Sequence, residues 1–217
     1  MSELDHKAAL VGISGAAGGG KSTIAMLLAK HLGDVDVRPL AEPLKFVCRD
    51  ILGIPERLLY GSDADKQTLT DIRQRDMPHW VGGPASYRDE AFGAKFLTVR
   101  EVLQQMGTEV FRKMRPRCWI DSMLWHRKAC TAAWMFVDDV RFIDEADAIR
   151  AAGGRVVRLL RSSGSSDTHS SETALDAYAG FDLVVDNRDE SATVTASFVL
   201  SALEGWFPMA TDKGVQR

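Results

Sequence analysis

The sequence predicts an α/β domain built on a mostly parallel sheet, and three observations carry that expectation. Short apolar runs alternate with stretches of helical periodicity, the order that parallel strands joined by crossover helices require. The runs are largely continuous rather than alternating: ALVGIS at 9–14, WMFV at 134–137 and RVVRLL at 155–160. Strands covered on both faces read this way. The third observation is a glycine-rich turn between the first run and the first helical pattern.

Each element follows in order. Residues 9–14 read as a buried first strand. Residues 21–32 read as a helix whose Ile24, Leu27, Leu28 and Leu32 share one face, with Gly33 as its stop. Residues 35–40 give a weaker second strand. A strand at 134–137 runs into Asp138 and Asp139. A helix at 143–152 is closed by Gly153 and Gly154, and a strand follows at 155–160. The last strand is expected at 181–185 and a closing helix at 191–203.

Two stretches break the rhythm. Residues 43–117 carry helical patterns around a loop at 76–95 that holds Pro, Gly, Trp and Tyr, which reads as an insertion between strands. Residues 162–171 (SSGSSDTHSS) have the composition of either a plain surface linker or an active-site lid. The expected organisation is one domain. Its core spans 8–42 and 118–207, its insertion about 43–117, and its lid about 161–173.

Composition narrows the function classes. The 217 residues are 45% hydrophobic and 26% charged, with a net charge of -3. These are globular values, without the overall positive field that draws a chain to nucleic acid or anionic lipid. Arg112, Lys113, Arg115 and Arg117 form a local basic cluster, read as a solvated helix face rather than a nucleic-acid patch. Cys48, Cys118 and Cys130 are widely spaced, so neither a disulfide framework nor a zinc site is expected. No apolar run approaches the ~20 residues of a membrane span. A cytoplasmic protein is the expectation.

The chemistry lies in residues 15–22, GAAGGGKS, which satisfy G-x-x-x-x-G-K-[ST] at every fixed position. A strand is expected before them and a helix after them, the setting of a phosphate-binding P-loop. The loop must bring backbone N–H groups close to phosphate oxygens, so side chains at Gly15, Ala16, Gly18, Gly19 and Gly20 are absent or small. The helix N-terminus adds unpaired donors and partial positive charge. Lys21 supplies a full charge for the β- and γ-phosphates of ATP, Ser22 a hydroxyl ligand for Mg²⁺, and Thr23 lies next in the same turn. The fold class therefore sharpens to a P-loop three-layer core.

Such a core needs a carboxylate at the end of a neighbouring strand, and Asp138-Asp139 supplies two. Spacing alone does not say which of them faces the phosphates. Phosphoryl transfer also needs cations. Arg141 follows the acids, while Arg158 and Arg161 lie on or just after the next strand. Guanine-nucleotide switches are disfavoured, because no N-K-x-D occurs and no D-x-x-G follows the acids. A small kinase with an inserted acceptor region and a lid remains.

In that setting the sequence resembles the deoxynucleoside monophosphate kinases of bacteriophages. After the P-loop the resemblance runs through LAEPLK at 40–45, REVLQQMGTE at 100–109, DVRF at 139–142 with Glu145 and Ala146, and Gly153-Gly154. It continues through Arg161, SDTH at 166–169 with Ser171 and Glu172, and FDLVVDN at 181–187. It covers most of the chain outside 60–97 and the tail. The resemblance implies a nucleoside monophosphate kinase fold and transfer of phosphate from ATP to a dNMP with Mg²⁺. It implies that residues 15–23 hold ATP phosphates and metal, and that Lys45, Arg100 and Gln104 face the acceptor. It further implies Asp139 between the phosphates, Arg141 near the transferring group, Arg161 in the lid and Asn187 near adenine. His169 and Glu172 read equally as a helix entry capped by Ser171. The resemblance also leaves a homodimer open.

Two rival readings stand beside this one: another small kinase, such as one of the dephospho-CoA kinase kind, and a non-catalytic ATP-dependent switch. The acceptor base is open. Tyr60, Trp80, Tyr87 and Phe92 could stack on it or simply pack.

Overall fold

The computed structural model describes residues 8–16, 18–78, 81, 90–160 and 174–208. In chain order the elements are β1 (Ala9–Gly15), α1 (Lys21–Leu32), β2 (Val35–Val37), α2 (Glu42–Asp50), α3 (Glu56–Tyr60), α4 (Asp63–Lys66) and β3 (Leu69–Arg73). A 3-10 turn, Gln74–Asp76, precedes α5 (Glu90–Ala94), β4 (Phe96–Thr98) and α6 (Val99–Gln104). A π-helical segment, Gln105–Arg112, leads on to α7 (Cys118–Arg127). Then come β5 (Trp134–Val140), α8 (Ile143–Ala151), β6 (Arg155–Leu160), β7 (Leu183–Asp186) and α9 (Ala192–Trp206). The chain divides into two compact units, Met1–Leu40 with Trp119–Arg217 and Ala41–Cys118.

The first unit carries a five-stranded sheet in the order β2-β5-β1-β6-β7, with every pairing parallel. This is the expected α/β architecture. β1 is central and buried along its length except at Gly15, so the loop that follows it leaves from the carboxyl ends of the strands. Open parallel sheets bind ligands at that edge. Alternation along β5 sends Trp134 and Phe136 to the face packed by α1 and α9, and Met135 and Val137 to the face packed by α8. Trp134, Met135, Phe136 and Val137 are all fully buried, which is why WMFV is apolar on both faces.

The structure matches residues 21–32 and 155–160 to the residue and adjusts other boundaries. β2 stops at Val37 instead of residue 40. Arg38 N still donates to Phe136 O at 2.7 Å, but Pro39 has no N–H to continue the ladder. β5 runs on to Val140, through both acids, and its register with β1 slips between Gly12 and Ser14. An extra residue of this kind bends the strand and re-aims its side chains. β7 begins two residues later than expected. Ser191 caps α9 by accepting from Val194 N.

A buried arginine pins the amino-terminal edge of the sheet. Arg127 donates through Nε and Nη2 to Ala8 O and through Nη1 to Ala152 O. Burial pulls its pKa below the ordinary arginine value.

The second unit is largely helical, as the pattern of 43–117 suggests, but it also holds an antiparallel pair, β3 and β4. Neither strand appears in the sequence reading. Each is short, LTDIR and FLT, and mixes apolar with polar residues, so no apolar run marks them. Thr98 caps α6 in a reciprocal box with Glu101. The REVLQQMGTE helix then widens into π geometry from Gln105.

Candidate active site

The loop after β1 has the backbone that its glycines imply. Gly18 and Gly20 adopt φ of 70° and 85°, a region that a side chain makes costly. Gly19 approaches the loop's own backbone: its N–H donates to Ala16 O at 3.0 Å, and a Cβ there would meet that oxygen at 2.9 Å. α1 starts behind Gly20 with no side-chain cap and no acid in its first turn. No carboxylate of that turn competes for the positive end of the helix. Lys21 reaches back over the loop and donates to Gly15 O at 2.8 Å and to Ala16 O at 2.7 Å. Ser22 and Thr23 are exposed on the first turn. The uncapped start of α1 and the Lys21 charge are thus together at one end of the helix, the features an anion uses.

The structure separates the two acids that spacing left together. Asp139 accepts from Leu40 N at 2.6 Å through Oδ1, so it anchors the chain after β2. Asp138 is 6% exposed, and its Oδ1 is buried with no hydrogen-bond partner among the described residues. A buried carboxylate oxygen left without a donor is costly. It suits a cation or a cation's water. Among the described residues no group of three or more His, Cys, Asp or Glu side chains is arranged to hold a metal. The Ser22 hydroxyl and the Asp138 carboxylate are hard oxygen donors, the kind Mg²⁺ takes when nucleotide phosphates supply most of its ligands.

Beyond β5 the chain is fixed by Glu145, which is 3% exposed. Its Oε2 accepts from Arg141 N at 2.9 Å and Phe142 N at 3.0 Å. Arg141, half-buried, thus has its backbone set by a carboxylate on α8. On β6, Arg158 lies opposite Ser14 of β1 and donates to Ser14 Oγ at 3.0 Å and Asp176 Oδ1 at 2.8 Å. Asn187, just past β7, is 2% exposed and donates from Nδ2 to Gly19 O at 3.3 Å. The resemblance placed Asn187 near adenine; in the structure its amide lies against the P-loop.

The acceptor-side candidates lie in the second unit. Lys45, on α2, sits 4.3 Å from the Tyr60 ring centroid, and Tyr60 Oη donates to Glu42 Oε1 at 2.8 Å. Burial first, then that carboxylate, pushes the Tyr60 phenol up to about 12. Arg100 pairs with Asp63 at 2.5 Å. Gln104 ends α6 and is half-buried. Its neighbour Gln105 exchanges two amide hydrogen bonds with the buried Gln74, at 2.8 and 3.2 Å. The sequence reading missed that pair and the buried Glu145 bracket. A glutamate three residues past Phe142 was a usable signal for the bracket. Ala17, Trp80, Tyr87, Arg161, His169, Ser171, Glu172 and the stretch expected as a lid, 161–173, lie outside the described residues.

A family profile described as deoxynucleotide monophosphate kinase matches residues 85–196. A protein of Acanthamoeba polyphaga mimivirus, named "Putative deoxynucleotide monophosphate kinase", is 30% identical over 196 residues, covering 82% of this chain and 88% of that protein.

The chain belongs to the deoxynucleotide monophosphate kinase family. Family membership supports a nucleotide kinase activity. The profile match includes Arg100, Gln104, Asp139, Arg141, Arg161 and Asn187. That relative is viral but is not from a bacteriophage, so the likeness is wider than the phage enzymes. No described helix is long and apolar enough to cross a membrane.

Proposed function

We propose that this chain moves the γ-phosphoryl group of ATP to a deoxynucleoside 5′-monophosphate, giving ADP and a dNDP. The observation that carries this reading is the loop at 15–22. It combines an uncapped helix start, two left-handed glycines and a lysine folded over the loop. Family membership supplies the class of acceptor.

The acceptor's phosphate oxygen is already anionic, so it attacks the γ-phosphorus without a general base. The new P–O bond forms in line with the bond to the β–γ bridging oxygen, which breaks and leaves its electron pair on ADP. Lys21 releases the Gly15 and Ala16 carbonyls and takes phosphate oxygens in their place. The first-turn N–H groups of α1 hold the β-phosphate. Mg²⁺, when bound, neutralises charge shared by the β- and γ-oxygens. Ser22 would hold it directly, and Asp138 would hold it through a water. Asp139 holds the chain after β2, and Arg141, set by Glu145, meets charge on the transferring group. Lys45, Arg100 and Gln104 bind the acceptor, while Arg161 and the 161–173 segment exclude water.

The test is ADP release with ATP and Mg²⁺ against a panel of dNMPs, NMPs and dephospho-CoA. The expected result is stimulation by one or more dNMPs. Stimulation by dephospho-CoA alone would assign a different small kinase. ADP release indifferent to every acceptor would assign the switch reading.

A further inference from the structure

Asn187 has an arrangement that neither nucleotide chemistry nor ordinary packing requires. It follows β7, at the far edge of the sheet from β2, and is 168 residues from its partner Gly19. Its side chain is almost wholly buried, yet only its amide nitrogen is used. Oδ1 has no partner among the described residues. The orientation is nevertheless determined. Exchanging the two ends would place Oδ1 3.3 Å from the Gly19 carbonyl oxygen, acceptor against acceptor.

The partner is the informative part. In a trans peptide the carbonyl and the following N–H point in opposite directions, and no peptide among the described residues is cis. Fixing Gly19 C=O toward Asn187 therefore fixes Gly20 N–H away from it. That N–H lies at the start of α1, where the phosphate-binding donors are. The peptide joins two glycines, and Gly20 sits at a φ of 85°. With no Cβ on either side, the plane can rotate at little steric cost. A loop rich enough in glycine to approach phosphate is thus free to turn this donor the wrong way.

We infer that Asn187 is a positioning residue of the P-loop: it clamps the Gly19 carbonyl so that Gly20 N–H stays aimed for a polyphosphate, whatever base that polyphosphate carries. The inference rests on the P-loop being the ATP site. It differs from an adenine-contact role in what it predicts for ligands without adenine.

The experiment measures calorimetric binding of ATP, GTP and inorganic tripolyphosphate, each with Mg²⁺, to the full chain and to Asn187→Leu and Asn187→Ala. Ligand-free melting temperatures are recorded alongside. Leucine has nearly the same shape and removes both the donor and the unpartnered oxygen, so the ligand-free melting temperature should hold. Loss of the clamp is expected to weaken all three ligands by the same factor, about 10-fold, the scale of one hydrogen bond. Weakened ATP with unchanged tripolyphosphate would overturn the inference and return Asn187 to the base. A lowered melting temperature in both variants with all affinities unchanged would overturn it in favour of packing alone. Failure of the unaltered chain to bind either ATP or tripolyphosphate would refute the P-loop reading itself, a separate outcome.

Discussion

The two compact units hold their candidate residues in different ways. In the sheet unit, apart from Arg158 with its side-chain partners Ser14 and Asp176, these side chains bond to backbone groups. Gly15 and Ala16 carbonyls take Lys21, Leu40 N–H fixes Asp139, Arg141 and Phe142 N–H groups fix Glu145, and Gly19 O fixes Asn187. In the unit Ala41–Cys118 they are fixed by other side chains: Lys45 by Tyr60, Tyr60 by Glu42, Arg100 by Asp63 and Gln105 by Gln74. Phosphate is common to every nucleotide, so a backbone-built cradle suits it. A base is read by side chains, which can be exchanged without disturbing a sheet. The comparison predicts that damage in the first unit abolishes chemistry for every acceptor, while damage in the second changes which acceptor is used.

The largest expected effect is on stability. Phe136→Ala, at a fully buried position between β5 and α1, should cost about 3–5 kcal/mol in urea unfolding. Next is Lys21→Ala, which should lower turnover by at least about 10²-fold for every dNMP alike. An effect confined to one acceptor would break the comparison. Asp138→Asn should lower turnover about 10–100-fold, the range for groups that orient a metal's ligands, and raise the Mg²⁺ needed for half-maximal rate. Asp139→Asn retains an acceptor for Leu40 N–H, so it should leave the Mg²⁺ requirement unchanged. If the two variants trade places, Asp139 is the metal-side acid.

The smallest effect is on the acid side of stability. Partial burial raises the Glu101 pKa, but hydrogen bonds from Lys95 and Thr98 outweigh it and hold the carboxyl below its ordinary value. The folded chain therefore binds that proton less tightly than the unfolded chain. The stabilisation is complete above about pH 4.3 and is lost as pH falls through the folded value. Glu101→Gln should flatten that limb by under about 1 kcal/mol, measured as melting temperature against pH.

How legible the molecule was follows the same division. Residues 15–32 could be read in full, because a P-loop and its helix are local and their residue types are dictated by backbone geometry. The parallel sheet was legible because strands covered on both faces are continuously apolar. Spacing did not tell Asp138 from Asp139, because the register slip in β5 that re-aims their side chains has no signature in two adjacent aspartates. Asn187 and Arg127 take partners 168 and 119 residues away, beyond the reach of periodicity. β3 and β4 escaped because they are short and mix apolar with polar residues, LTDIR and FLT, without a clear alternation.

The most direct test of the division is equilibrium binding of ATP with Mg²⁺, and separately of the preferred dNMP, to the unaltered chain, Lys21→Ala and Arg100→Ala. The account predicts that Lys21→Ala weakens ATP about 10-fold or more, the scale of a lost charge-assisted contact, and leaves the dNMP within about twofold. Arg100→Ala should do the reverse. Equal weakening of both ligands by both substitutions would contradict it.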